Sequence, residues 1–179
     1  MDIILTTLNA KYIHAAFGLR YLRANLGELR DRSMIMEFTI NERPIDIVER
    51  VLAQQPKLVG IGVYIWNIVE SLAVVRMLKQ VAPEVIVVLG GPEVSHETVG
   101  QPIVELADYT ITGEGEQAFA ELATRVLAPK RALLPVIESK IIPGGQPDTA
   151  SLVLPYDEYT DDDLAKLAVS GWPPGMILL

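Results

Sequence analysis

The sequence predicts a doubly wound α/β domain, a parallel sheet with helices packed on both faces. Three observations carry this expectation. Strand-like and helix-like segments alternate five times through about residue 127, the order that builds parallel strands with right-handed crossovers. Half of the residues are hydrophobic but only 6% are aromatic, so the apolar content is mainly Val, Ile, Leu and Ala, as in strands buried from both sides. Several strand-like runs end in glycine-rich turns that lead directly into helix-like segments. The implied architecture is a five-stranded Rossmann- or flavodoxin-like sheet over residues 1–127, with 128–179 as an extension and linker.

The elements follow in order. Asp2-Ile3-Ile4-Leu5-Thr6-Thr7 reads as a buried first strand, and Leu8 to His14 as a loop. Leu19, Leu22 and Leu26 share one helical face, with Gly27 as a stop. Ser33 to Ile40 alternates as a strand, with Met34, Met36 and Phe38 on one side and Ile35 on the other. Pro44 suits the first turn of a helix whose stripe is Ile45, Val48 and Leu52, with Ile47 and Val51 beside it. Leu58 to Tyr64 is a continuous buried strand. Asn67 and Glu70 have the spacing of a capping box for the next helix, whose stripe is Ile68, Leu72, Val75 and Leu78. Val85 to Leu89 is the fourth strand, and Ser95 to Leu106 a helical region interrupted by proline. Tyr109 to Thr112 is the fifth strand. Phe119, Leu122, Ala123, Val126 and Leu127 then give the clearest amphipathic helix. Beyond Pro129 the pattern weakens. Val136 to Ile142 reads as a strand or hairpin arm, a short helix follows Asp161-Asp162-Asp163, and Met176 to Leu179 looks like the start of a strand.

Composition narrows the function. A net charge of −8 without a Lys/Arg stripe argues against nucleic-acid binding by this segment. The chain has no cysteine, so it can supply no disulfide, thiolate nucleophile or cysteine ligand. With no secretory signal and no apolar run of membrane-spanning length, a soluble cytoplasmic location is the expectation.

In a doubly wound sheet, ligands bind beyond the carboxyl ends of the strands. Four such ends stand out here: Leu8-Asn9-Ala10-Lys11-Tyr12-Ile13-His14, Tyr64-Ile65-Trp66-Asn67, Gly90-Gly91-Pro92-Glu93 and Gly113-Glu114-Gly115-Glu116. Glycines admit a ligand close to the backbone, and aromatics offer flat apolar surface with a polar tip. Gly113-x-Gly115-x-x-Ala118 matches a dinucleotide fingerprint in letters only. It follows the fifth strand, and Glu114 and Glu116 would repel a pyrophosphate. A phosphoacceptor receiver would need an acidic cluster where Thr6, Thr7 and Tyr64 stand. His14 and His96, with Glu93 or Glu97, fall short of a convincing metal set, so no metal ligand and no catalytic residue is assigned.

Val87-Val88-Leu89-Gly90-Gly91-Pro92, followed by Thr112-Gly113-Glu114-Gly115-Glu116, resembles the cobalamin-binding domain at the front of cobalamin-dependent radical S-adenosylmethionine enzymes. The stretches Leu8 to His14, Phe38-Thr39-Ile40-Asn41-Glu42 and Tyr64 to Asn67 are similar to one branch of that family. The resemblance covers about residues 1–127. It implies cobalamin as the cofactor, with the corrin above the strand ends and the nucleotide tail along the sheet. Gly90, Gly91, Pro92 and Glu93 would flank the tail on one side and Gly113, Glu114, Gly115 and Glu116 on the other. Asn9, Tyr12, His14, Tyr64, Trp66 and Asn67 would lie under or beside the corrin.

Two departures shape that implication. Better-known cobalamin domains carry Asp-x-His-x-x-Gly after the first strand, with the histidine on cobalt. Here Tyr12 stands two residues before His14 and Phe17 three after, so the motif is absent. The resemblance then implies a cobalt with water or no lower ligand, walled by Tyr64 or Trp66. The family's four-iron four-sulfur cluster also needs Cys-x-x-x-Cys-x-x-Cys. With no cysteine here, the cluster and S-adenosylmethionine are expected in a C-terminal radical barrel beyond residue 179. The reading is a cobalamin module of a methyl or methylthio transferase, inactive as this segment. Its alternatives are a flavodoxin-like domain holding a flavin or another nucleotide-type cofactor, and a cofactor-free protein-docking domain.

Overall fold

The computed structural model describes residues 1–10, 15–96, 98–129, 139–146 and 148–169. The strands are β1 (Ile3–Asn9), β2 (Ser33–Thr39), β3 (Leu58–Gly62), β4 (Ile86–Gly90), β5 (Tyr109–Thr112) and β6 (Ile141–Pro143). They form one sheet in the order β2-β1-β3-β4-β5-β6, parallel throughout. The helices are α1 (Phe17–Ala24), α2 (Pro44–Leu52), α3 (Ile68–Val81), α4 (Pro102–Leu106), α5 (Glu116–Leu127) and α6 (Asp161–Val169). The chain winds outward from β1 in both directions, so the switch point lies between β1 and β3.

Each sheet face has its own core. Phe38, Ile61, Leu89 and their neighbours pack against Val48 of α2, Val75 and Leu78 of α3 and Ile103 of α4. On the opposite face Ile3, Leu5, Val88 and Ile111 pack against Leu19 of α1, Leu29 of the 3₁₀ segment Gly27–Arg32, and Phe119 and Leu122 of α5. Strand alternation decides this split: Met34, Met36 and Phe38 face the first core and Ile35 the second, as their spacing predicts. A right-handed β5–α5–β6 unit would put α5 beside α4, but α5 joins α1 on the other face.

The expected five-stranded sheet is corrected to six. β6 is only three residues long and ends in proline, too short to announce itself by periodicity. Of the two readings of Val136 to Ile142, the strand holds at its end: β6 pairs parallel to β5 as an added edge strand rather than as a hairpin arm, and residues 136–138 lie outside the described residues. β1 runs on through Leu8 and Asn9, because β2 keeps pairing to Asn9↔Thr39, so these two are strand rather than loop. The Ser95–Leu106 region reduces, among its described residues, to the five-residue α4, with a 3₁₀ turn at Pro92–Val94 just before it. In α2 the buried positions are Ile47, Val48 and Val51, and Ile45 is exposed. The capping box at Asn67 does not form, because the Asn67 side chain turns into the sheet. Met176 to Leu179 lie outside the described residues.

The C-terminal stretch is docked on α1 by charge. Arg20, only 2% exposed, pairs with Glu37 of β2 and with Asp163 of α6, at 2.8 Å each. The Tyr159 ring lies 4.8 Å from its guanidinium carbon. Burial works against the charge on Arg20, but the two carboxylates outweigh it and hold the guanidinium above its ordinary pKa. Glu158, also buried, pairs with Arg23 and with Arg30 at 2.6 Å. Thr160 and Asp163 cap α6 reciprocally: the Thr160 N–H donates to Asp163 Oδ2 at 3.0 Å, and the Asp163 N–H donates to Thr160 Oγ1 at 3.2 Å.

Burial tends to raise the Asp163 carboxyl, but the Thr160 hydrogen bonds and Arg20 hold it below its ordinary value. Its contribution is therefore complete above the unfolded value of about 3.9 and is lost as pH falls through the lower folded value. Asp163→Asn should cost roughly 1–2 kcal/mol in urea unfolding at pH 7, from the lost ion pair and weakened cap. The variant should approach the parent in stability as pH falls toward 3, while protease cleavage within 155–169 rises at neutral pH.

Candidate functional site

On the face covered by α1 and α5, the carboxyl-end row of the sheet reads Glu37, Thr7, Gly62, Gly90 in register. Two adjacent strands thus end in glycine on one face, leaving bare backbone between the two helices. A Cβ placed on Gly90 would meet nothing nearer than the Ile111 carbonyl oxygen, at 3.9 Å. The result is a groove of about 260 Å³ walled by Leu19 and Leu22 of α1, by Phe119 of α5 and by Gly115 just before it. Its floor is made by β3, β4 and β5, with Val88 and Ile111 facing in. One row deeper, a Cβ on Gly60 would lie 3.1 Å from the Phe119 ring, so Phe119 fills that space and closes the groove. Glu114 and Glu116 stand on the outer rim, and among the described residues no Lys or Arg lines the groove.

The β3–β4 rim is held by backbone contact. Gly91 has φ +111°, and a Cβ there would overlap the Val63 carbonyl oxygen and lie 3.0 Å from the Val63 nitrogen. The Val63 N–H donates to the Gly90 carbonyl at 2.8 Å. Gly91 is therefore demanded by the closeness of two strand ends, whereas Gly90 leaves open space. Asn67 fastens the same rim to β1. It is fully buried; its Oδ1 accepts from the Tyr64 N–H at 2.8 Å, and its Nδ2 donates to Thr7 Oγ1 at 3.1 Å and to the Leu8 carbonyl at 3.0 Å. Thr7 Oγ1 in turn donates to the Gly62 carbonyl at 2.7 Å. These bonds span the switch point and set Tyr64 at the groove edge.

The β5 rim is held from two sides. Ser95 Oγ donates to the Gly91 carbonyl at 2.8 Å and accepts from the Gly113 N–H at 3.1 Å, tying the β4 loop to the β5 turn. The Gly144 N–H, just past β6, donates to the Thr112 carbonyl at 2.7 Å, and a Cβ on Gly144 would overlap the Glu114 backbone. The sixth strand thus buttresses the Gly113–Glu116 turn.

Of the residues expected from sequence, the groove brings together Tyr64, Gly90, Gly91, Gly113, Glu114, Gly115 and Glu116. Trp66 stands just outside, 47% exposed and stacked on Tyr64 with ring centroids 4.6 Å apart. Burial first, and the Glu37 carboxylate second, push the Tyr64 phenol above its ordinary pKa, so it remains a neutral hydroxyl at pH 7. Pro92 borders an open depression beside the groove, together with His96, Gly113 and Gly144. Glu93 is half-buried, and its carbonyl accepts from Gln101. Asn67 and Asn9 are occupied within the fold; Asn9 Nδ2 donates to Glu37 Oε1 at 3.0 Å. Tyr12, His14 and Glu97 lie outside the described residues. Sequence reading missed Gly18, Leu22, Gly60, Gly62 and Phe119. The signal for two of them was present: glycines two apart in a buried strand point to one face and mark a close approach there.

The buried Thr6 and Thr7 hydroxyls donate to the Met36 and Gly62 carbonyls, in place of a receiver's acidic pocket. Among the described residues no group of three or more His, Asp or Glu is placed to hold a metal ion. No helix among them is long and apolar enough to cross a membrane.

The family model for the B12 binding domain matches residues 3–123. A 90-residue stretch is 33% identical to 2-(S-pantetheinyl)-carbapenam-3-carboxylate methyltransferase of Streptantibioticus cattleyicolor, covering 47% of this chain and 13% of that protein. A 77-residue stretch is 35% identical to the cobalamin-dependent radical SAM methyltransferase TokK of Streptomyces tokunonensis, covering 40% of this chain and 11% of that protein. The matches thus span a small part of each relative. A cobalamin-binding protein from Desulfitobacterium hafniense DCB-2 superposes with a TM-score of 0.54 at 20% identity, covering 71% of this chain and 59% of that one. A CheY-like protein (tadZ) from Pseudomonas aeruginosa PAO1 gives 0.52 at 16% identity, covering 76% and 99%. Both likenesses show the doubly wound fold. The family match extends from the first residue of β1 into the last turns of α5, so it takes in every groove-lining residue, and the chain belongs to the B12-binding domain family.

Proposed function

We propose that this chain is the cobalamin-holding module of a radical S-adenosylmethionine enzyme that transfers methyl or methylthio groups. The observation that carries the reading is the bare glycine row, Gly62 beside Gly90, opening an apolar groove next to the switch point. The residues present fit a cobalamin whose nucleotide tail enters that groove. Gly62, Gly90 and Gly113 would face the tail with backbone alone, and Leu19, Leu22 and Phe119 would pack on its base. The corrin would lie outside, beside the stacked Tyr64 and Trp66. Such a cofactor supplies methyl transfer through its cobalt. The chain's own part is to bind and orient it.

The two curated relatives support the enzyme context: both are methyltransferases, and TokK is a cobalamin-dependent radical SAM enzyme. This chain has no cysteine, so an iron–sulfur cluster would be held by a radical barrel in the same polypeptide, where S-adenosylmethionine would also bind. The docked 155–169 stretch would then hold the connection close to α1. A flavin mononucleotide fits less well, because its terminal, doubly charged phosphate would meet Glu114 and Glu116, and among the described residues no Lys or Arg lines the groove.

Visible absorbance titration checks the reading. Hydroxocobalamin should give a saturable spectral change with this chain, and flavin mononucleotide none. Saturable flavin binding without cobalamin binding would favour the alternative, and binding of neither would favour a protein-docking domain. Gly90→Val should fill the groove and weaken cobalamin at least about tenfold, roughly 1.4 kcal/mol, while leaving the unfolding midpoint nearly unchanged. Gly91→Ala should instead destabilise the fold by about 1–3 kcal/mol, because it strains backbone against backbone.

A further inference from the structure

We infer that docking of the C-terminal 155–169 stretch on α1 is coupled to binding of the cofactor: the docked stretch fixes α1, and each event strengthens the other. The inference rests on the proposed placement of the cofactor and adds a means of control to it.

α1 is only eight residues long, and a helix so short draws its stability from what packs on it. Its Leu19 and Leu22 turn toward α5, while its Arg20 and Arg23 meet the C-terminal stretch. No side chain of its own caps the N-terminus of α1; the Ala16 N–H donates instead to Glu37 Oε1 of β2, at 2.6 Å. The other oxygen of Glu37 accepts from Arg20 Nη2 at 2.8 Å, and the same nitrogen reaches Asp163 at 2.8 Å. Arg20 Nη1 donates to the Ala16 carbonyl at 3.0 Å. One guanidinium thus joins α6 to the carboxylate that seats the start of α1. At the other end of the helix, Asn25 pairs with the Val153 backbone in both directions, at 2.9 and 3.0 Å.

This docking is of a kind that can open. Val153, Leu154, Tyr156 and Leu164 stay more than half exposed, so charge holds the stretch more than apolar burial does. Arg20 Nε is buried without a hydrogen-bond partner, and undocking would return it to water. Once the stretch leaves, α1 loses the cover on its outer side and the Asp163 anchor of Arg20. A ligand resting against α1 must then order the helix as it binds, whereas in the docked state the helix is already ordered. Linkage makes the effect reciprocal.

The test uses the full chain and hydroxocobalamin, read by absorbance titration and by protease cleavage within 155–169. Cleavage follows the undocked fraction, so saturating hydroxocobalamin should slow it in the parent at least about fivefold. The double variant Glu158→Gln, Asp163→Asn breaks the ion pairs of the stretch without altering α1. It should be cleaved faster and bind hydroxocobalamin at least about fivefold more weakly, with urea unfolding confirming that it folds. Asp162→Asn, which removes only an exposed pair with Lys166, should match the parent in both readouts. If hydroxocobalamin binds the parent and leaves its cleavage unchanged, the coupling is overturned and the proposed function stands. A folded, faster-cleaved double variant that binds as tightly as the parent overturns the coupling equally. Should the double variant not fold, the cleavage of the parent decides alone. A parent that binds no hydroxocobalamin overturns the proposed function and this inference with it.

Discussion

Everything at the candidate site depends on one absence of side chains. Gly62 and Gly90 are register partners on the same face of adjacent parallel strands. A sheet covered by helices is normally filled by side chains from both layers. Here the helices α1 and α5 meet sheet side chains lower down, at Leu5 and Val88, and bare backbone at the carboxyl edge. The gap that remains is apolar, narrow and beside the switch point. A larger residue at either glycine would close the space between the helices.

A surface made of bare backbone has to be held in place by something else. Several small polar contacts do this. Asn67 and Thr7 tie β3 to β1, Gly91 presses on the Val63 backbone, and Ser95 ties the β4 loop to the β5 turn. Gly144 braces that turn from outside. The rim is therefore positioned by hydrogen bonds that are already satisfied within the protein. Its residues divide into those that hold shape and those that face the open space. Gly91 and Asn67 belong to the first group, Gly90, Gly113 and Tyr64 to the second.

Much of this was legible in the sequence. Alternation placed five strands and the helices between them, because long buried runs and 3.6-residue stripes are strong signals. The ends of β4 and β5 were recognised from their glycines. The division of labour was not legible, because Gly90 and Gly91 look alike until φ and the Val63 backbone are known. Asn67 has the spacing of a helix cap, and only the fold shows that its amide is spent on β1. A strand near Val136 to Ile142 was legible, but its place as the sixth strand of the sheet was not, because three paired residues carry no period to say which edge they join. The docking of 155–169 escaped because its holding forces are ion pairs between residues more than a hundred positions apart, such as Arg20 with Asp163 and Glu158 with Arg30.

The acidic balance of the chain fits the same picture. A groove lined by aliphatic side chains, with its carboxylates kept to the rim, admits a flat apolar group. The most direct measurement of the central claim is hydrogen–deuterium exchange of the chain with and without hydroxocobalamin. Within the sheet and its turns, the account predicts new protection confined to the amides of residues 60–64, 88–91 and 111–116, where the glycine row and its rims would meet the proposed tail. Protection appearing at the α2–α4 face instead, with these segments unchanged, would contradict it.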